Sequence, residues 1–131
     1  MEKIMVDTSA IYALLDRSDL MHEEAKKCFT VMAKENVTTI ITNFVKAECH
    51  ALISSRLGHD LARNWLRKMI WPVERITEID EKRAMEIINY YTDKTYSYTD
   101  TTTFAAMERL GITRVFTFDR HFVQYGFRCM E

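Results

Sequence analysis

Short β-branched segments alternate with longer amphipathic ones along this chain, and that alternation restricts its fold more than any other feature. Lys3–Val6, Thr38–Thr42, Val73–Ile79 and Arg114–Phe118 read as strands, being apolar, β-branched or alternating. Helix signals fill the intervals: Ser9 to Asp16, Asp19 to Glu35, Asn43 to Arg56, Asp60 to Ile70, Asp80 to about Tyr91, and Asp100 to Leu110. Gly58 and Gly111 suit the residue just past a helix end, Asp80 suits a cap, and Pro72 stops the helix before it. The tail from Tyr125 to Met130 adds an edge strand, and Thr92–Thr99 reads as a polar, aromatic loop. Strands that alternate with helices imply βαβ units, hence an α/β fold with a mainly parallel sheet covered on both faces. Sites in such sheets form at the carboxyl ends of the strands.

Four carboxylates sit against that pattern. Asp7 closes the apolar run Ile4-Met5-Val6, and Asp119 closes Val115–Phe118. Glu48 falls in the middle of the helical stripe formed by Ile41, Phe44, Val45, Ala51 and Leu52. Asp100 begins a helix and shares its stripe with Phe104 and Met107. Ionised acids are rarely buried unless paired or bound to metal, and no basic residue shares these stripes. Each acid alone also has a plain explanation. Asp7 and Asp100 satisfy the requirements of N-caps, Asp119 those of a cap on the turn Arg120-His121-Phe122, and Glu48 has Lys46 and Arg56 near it in sequence. Taken together, the four suit Mg²⁺ or Mn²⁺, which prefer oxygen ligands and activate water for phosphodiester displacement. Thr8, Ser9, Thr101 and Thr117 flank the acids and suit hydrogen bonding to the ligands. If the four acids crowd one pocket, their repulsion raises their pKa values. The metal-free protein then gains stability as pH falls from neutral, and Asp100→Asn raises its melting temperature while removing the Mg²⁺ increment.

Bulk properties narrow the class further. The chain has 131 residues, 47% of them apolar and 28% charged, which fits one ordered domain over residues 1–131. A net charge of −1 argues against a constitutive nucleic-acid binder but leaves room for a nucleic-acid enzyme with a local basic rim. No apolar run approaches the ~20 residues needed to cross a bilayer, so no membrane role is expected. Cys28, Cys49 and Cys129 lack CxxC spacing and fit reduced thiols, hence a cytoplasmic protein without structural zinc. The four histidines, His22, His50, His59 and His121, have no metal-ligand spacing, and none of the three glycines builds a phosphate-cradling loop.

Ile4-Met-Val-Asp7-Thr-Ser-Ala10, the helical Glu48, Tyr98-Thr-Asp100 and Thr117-Phe-Asp119-Arg-His-Phe122 together resemble the PIN domain, and within it the VapC-like toxin ribonucleases. The stretch from Phe104 through Asp119 to Phe127 is the most specific part, and the resemblance covers nearly the whole chain. It implies a three-layer α/β/α sandwich and metal-dependent endonucleolytic cleavage of RNA. It maps an acidic quartet of catalytic and metal-binding residues onto Asp7, Glu48, Asp100 and Asp119. It also implies an antitoxin whose C-terminal segment covers the site, and a homodimer, which the Met, Trp and aromatic residues of Asp19–Glu35 and Asp60–Ile70 would suit. Thr101 departs from the Ala or Cys of many relatives, and Asp93 has no assigned role. For RNA contact the first candidates are Arg120, His121 and Tyr98, with Lys46, Arg56, Lys94 and Tyr96 behind them.

Rival readings remain. A haloacid-dehalogenase-like phosphatase would need an acid two residues after Asp7, where Ser9 stands, and a receiver would need an acid pair near the first strand. A catalytically silent interaction module of the same fold, or an RNA-processing nuclease outside any toxin–antitoxin pair, fits the same residues.

Overall fold

The computed structural model describes residues 1–130. Its elements follow in the order β1 (Glu2–Val6), α1 (Thr8–Leu15), α2 (His22–Lys34), β2 (Val37–Thr42), α3 (Asn43–Leu57), α4 (His59–Lys68), β3 (Val73–Glu74), α5 (Glu78–Tyr90), α6 (Tyr98–Leu110), β4 (Arg114–Phe116), α7 (His121–Tyr125) and β5 (Arg128–Cys129). The strands form one sheet in the order β3-β2-β1-β4-β5, and every pairing is parallel.

The pleat sorts strand residues onto two faces, and each face has its own core. Ile4, Val6, Ile41 and Phe116 point one way and pack with Ile11, Val45, Ile53 and Trp65 from α1, α3 and α4. Met5, Ile40 and Val115 point the other way, onto Ile87, Phe104, Met107 and Phe122 from α5, α6 and α7. Three layers result, as the resemblance implied. Both faces of the central strands are covered, which explains why the buried part of β1, Ile4–Val6, is apolar without alternation.

The chain builds outward from β1 to β2 and β3 on one side, then returns to place β4 and β5 on the other. The carboxyl ends of β1 and β4 therefore flank the point where the strand order reverses, the place where ligand crevices open in such sheets. Asp7 and the residues after Phe116 lie there.

Several boundaries differ from the sequence expectation: α2 begins at His22 rather than Asp19 and α4 ends at Lys68 rather than Ile70, and the others have local reasons. Val73–Ile79 pairs only over Val73–Glu74, because the Ile76 N–H donates to Asn43 Oδ1 at 2.7 Å instead of to a neighbouring strand. Asp80 is not the cap of its helix. Thr77 is, and Asp80 stands three residues on as its reciprocal partner, accepting from the Thr77 N–H. The same box forms at Ser97 and Asp100, so α6 starts at Tyr98 and Asp100 lies within its first turn. The last strands are also shorter than predicted. Beyond Phe116 the N–H groups of Phe118 and Asp119 donate to side-chain hydroxyls of Ser9 and Thr117, and His121–Tyr125 coils into α7. Gly126 follows at φ 122°, a backbone angle that favours glycine, and lets the chain turn back into β5.

Candidate metal centre

Asp7 follows the central strand and is 5% exposed. Its Oδ2 accepts from Thr117 Oγ1 at 2.7 Å and from Ser9 Oγ at 2.9 Å. Each hydroxyl carries one proton, so with both committed to Asp7 their own 3.1 Å approach is packing. The two hydroxyls also accept from the Phe118 and Asp119 N–H groups, at 2.9 and 3.0 Å. Ser9 and Thr117 thus stitch the end of β1 to the segment leaving β4. Burial pushes the Asp7 carboxyl up to about 6 against the pull of these hydroxyls, and the negative charge of Asp100 adds to the rise. Crowding of the acids was expected to be the main cause; burial of Asp7 outweighs it.

Asp100 is 8% exposed and Asp119 is half-buried. They meet at His121. The imidazole Nδ1 lies 2.9 Å from Asp100 Oδ2 and 3.3 Å from Asp119 Oδ1. Asp119 Oδ1 also accepts from the His121 N–H at 2.9 Å, so it does cap the turn, as its plain reading required. Donor atoms of Asp100, Asp119 and His121 all lie within 4.8 Å of one another. His121 was anticipated only as an RNA contact. Histidine spacing could not reveal this cluster, because its partner Asp100 is distant in sequence and arrives through the fold.

Glu48 sits half-buried on α3. Lys46 and Arg56 do not pair with it, and the Arg56 guanidinium lies over the Tyr12 ring, 5.2 Å from its centroid. The Cys49 thiol feels the charges of both Asp7 and Glu48, which places α3 beside the end of β1. Burial pushes that thiol up to about 12, so Cys49 stays protonated and unreactive. One turn before Glu48, Phe44 packs its ring 6.0 Å from that of Tyr98, the first residue of α6.

The remaining anticipated residues divide. Thr8 is buried and its hydroxyl finds no partner of good hydrogen-bond geometry, the Cys49 thiol being the polar group that approaches it. Thr101 is fully buried and donates to the Tyr98 carbonyl at 3.2 Å rather than to an acid. Tyr98 presents its ring but commits its hydroxyl to Glu81 Oε1 at 2.8 Å. Arg120 is exposed at the start of α7.

Among the described residues, no lysine or arginine pairs with Asp7, Glu48, Asp100 or Asp119; His121 alone pairs with Asp100 and Asp119. The structure brings Asp100 and Asp119 together with His121 and sets Asp7 near Asp100, while Glu48 stands outside that cluster on α3. Such acids, without a lysine or arginine partner, fit a hard divalent cation, which favours oxygen donors.

Comparison with known proteins gives a consistent answer. The PIN domain family model matches residues 4–128. The 23S rRNA-specific endonuclease VapC20 of Mycobacterium tuberculosis is 32% identical over 127 residues, 95% of either chain. The crystal structure of M. tuberculosis VapC20, described as a sarcin-ricin loop cleaving toxin, superposes with a TM-score of 0.85 at 31% identity over 95% of each chain. The FitAcB structure from Neisseria gonorrhoeae shares the fold at TM-score 0.75 and 16% identity, covering 98% of this chain and 96% of that one. VapBC2 from Rickettsia felis, solved with a fragment of its promoter DNA, does so at TM-score 0.74 and 12% identity, covering 97% and 96%.

Proposed function

We propose that this chain, which belongs to the PIN domain family, is a Mg²⁺- or Mn²⁺-dependent endoribonuclease and the toxin of a type II toxin–antitoxin pair. The observation that supports the reading is the cluster of Asp100, Asp119 and His121 beside Asp7 at the end of β1, with no lysine or arginine paired to the acids. Asp7, Glu48, Asp100 and Asp119 hold the cation. A bound cation supplies an activated water and offsets the charge that develops on the phosphodiester. Ser9 and Thr117 hold Asp7 in place through its Oδ2. Arg120 meets the RNA backbone, and the exposed ring of Tyr98 offers a base a stacking surface. Such a substrate places the enzyme in the cytoplasm; no helix of the described residues is long and apolar enough to cross a membrane.

Ribosomal RNA is the substrate to test first, since the relative of 32% identity is a 23S rRNA-specific endonuclease. Purified protein incubated with 23S rRNA and Mg²⁺ or Mn²⁺ is expected to give discrete fragments, and none in EDTA. Cleavage undiminished by EDTA rejects the cation-dependent mechanism. Intact RNA under every cation condition favours a silent interaction module.

The antitoxin partner is supported by fold neighbours solved as toxin–antitoxin assemblies, among them the Klebsiella pneumoniae complex. An apolar groove of about 280 Å³ beside α1, lined by Leu14, Leu15, Phe29, Trp65 and Trp71, suits the apolar face of a helix from that partner. α1 begins next to Asp7, so a segment that continues past the groove reaches the acids. Exposed Val31 and Leu66, on α2 and α4, support a homodimer as well. Co-expression with the protein encoded beside it, followed by chromatography with light scattering, is expected to show a complex built on a toxin dimer. Leu14→Glu should release the partner; a complex unaffected by that change places the partner elsewhere, and a monomer mass for the free toxin rejects the dimer.

A further inference from the structure

We infer that His121 is itself a ligand of the divalent cation, through Nδ1, and that this nitrogen biases the site toward Mn²⁺ over Mg²⁺. The inference rests on the cation-dependent reading of the same site.

The geometry supplies the first argument. Adjacent donors around an octahedral ion stand √2 bond lengths apart, or about 2.8–3.0 Å for bonds of about 2.0–2.1 Å, and slightly more for a larger ion. His121 Nδ1 stands 2.9 Å from Asp100 Oδ2 and 3.3 Å from Asp119 Oδ1. The first separation falls within that range and the second lies above it, so the Asp100 pair matches neighbouring ligands of one cation and the Asp119 pair would close up slightly on binding. Asp100 Oδ2 also accepts from the Ser97 N–H and Asp119 Oδ1 from the His121 N–H, so both oxygens are held in place beside Nδ1 as a preformed set of donors that would suit one cation.

The surroundings of the ring supply the second. A ligating imidazole generally donates its other N–H to a fixed acceptor, which sets the tautomer and aims the lone pair. His121 Nε2 lies 3.2 Å from Thr95 Oγ1. The Tyr96 ring meets the imidazole edge to face, with centroids 5.3 Å apart and planes at 83°. Thr95 and Tyr96 belong to the loop before α6, and they fix the ring in the plane that points Nδ1 at the acids. The backbone bond from the His121 N–H to Asp119 keeps these two donors in register.

Donor chemistry sets the preference. Mg²⁺ takes oxygen almost to the exclusion of nitrogen, while imidazole suits the transition metals. A site of carboxylates with one imidazole keeps the oxygen character that Mn²⁺ accepts and adds a donor that Mg²⁺ gains little from.

The test uses the full-length protein with Mn²⁺ alone, read by pulsed electron paramagnetic resonance. Wild type is expected to show ¹⁴N modulation from a directly bound nitrogen, changing to the ¹⁵N pattern when only histidine is ¹⁵N-labelled. In calorimetry, His121→Ala should weaken Mn²⁺ binding roughly tenfold or more and Mg²⁺ binding by less than about threefold. Thr95→Val should retain the nitrogen signal with weaker Mn²⁺ affinity. Bound Mn²⁺ without histidine nitrogen in wild type overturns the inference and leaves His121 as an RNA contact. An equal loss of both ions in His121→Ala removes the preference. The wild-type spectrum decides ligation even if the alanine variant fails to fold. Absence of any Mn²⁺ or Mg²⁺ binding would reject the cation-dependent reading itself, a separate result.

Discussion

Asp7→Asn is expected to lower RNA cleavage by orders of magnitude while the protein stays folded. The amide matches the carboxylate in shape, and its oxygen still accepts from Ser9 and Thr117. What it loses is the negative charge that a cation requires. The same substitution should change how stability depends on pH. Burial holds the Asp7 carboxyl at about 6, above its ordinary 3.8, so between these values the folded state binds more protons than the unfolded state. Stability of the cation-free protein therefore falls as pH rises from about 4 to about 6 and levels off above that. The gap is worth roughly 3 kcal/mol at most. Melting curves in EDTA across that range should show this slope in wild type and lack it in the variant, which should melt higher at neutral pH. A variant that cleaves normally removes Asp7 from the site, and a wild-type melting temperature that rises from pH 4 to 6 contradicts the assignment to Asp7.

Arg109→Ala is expected to destabilise the fold by on the order of 3–5 kcal/mol, because it strips the partner from a buried charge. Asp80 is 2% exposed. Arg109 grips it with two bonds, Nε to Oδ1 at 2.9 Å and Nη2 to Oδ2 at 3.0 Å, and also reaches Glu74. Burial pushes the Asp80 carboxyl up, but the Arg109 guanidinium and the Thr77 bonds prevail and hold it below the ordinary range. A depressed carboxyl contributes stability above the unfolded pKa and loses it as pH falls through its folded value. The variant should melt roughly 10 °C or more below wild type at neutral pH, with the difference narrowing in acid. A drop of only a degree or two would mean that water reaches Asp80 and replaces the guanidinium.

Much of the candidate site is legible in the sequence because its acids violate local patterns. Asp7 and Asp119 end apolar strands, and Glu48 interrupts an apolar stripe; neither placement needs tertiary information to be noticed. The alternation of strands and helices predicts the parallel sheet, but the reversal of strand order between β1 and β4 comes only from the fold. Helix starts were harder. Asp80 and Asp100 look like caps in sequence, and only the hydroxyls of Thr77 and Ser97, three residues earlier, move them into the first turn. The end of β3 was hidden because alternation continues to Ile79 while the Ile76 N–H has already gone to Asn43. His121 was hidden most completely. Its bond to Asp100 spans two elements, and no spacing rule links them.

The placement of β1 at the centre of the sheet bears on how the protein is made. Of the five strands of this sheet β1 is synthesised first, and β2 can cover one of its edges early. Its other edge waits for Arg114–Phe116, which pair with Ile4, Met5 and Val6. Until those residues are made, that edge is an open row of backbone donors and acceptors on an apolar strand, the kind of surface that invites pairing with another chain. Throughout that interval Asp7 also lacks Thr117 and Asp119, so the ribosome that builds this protein carries a nascent chain whose acids are still unassembled.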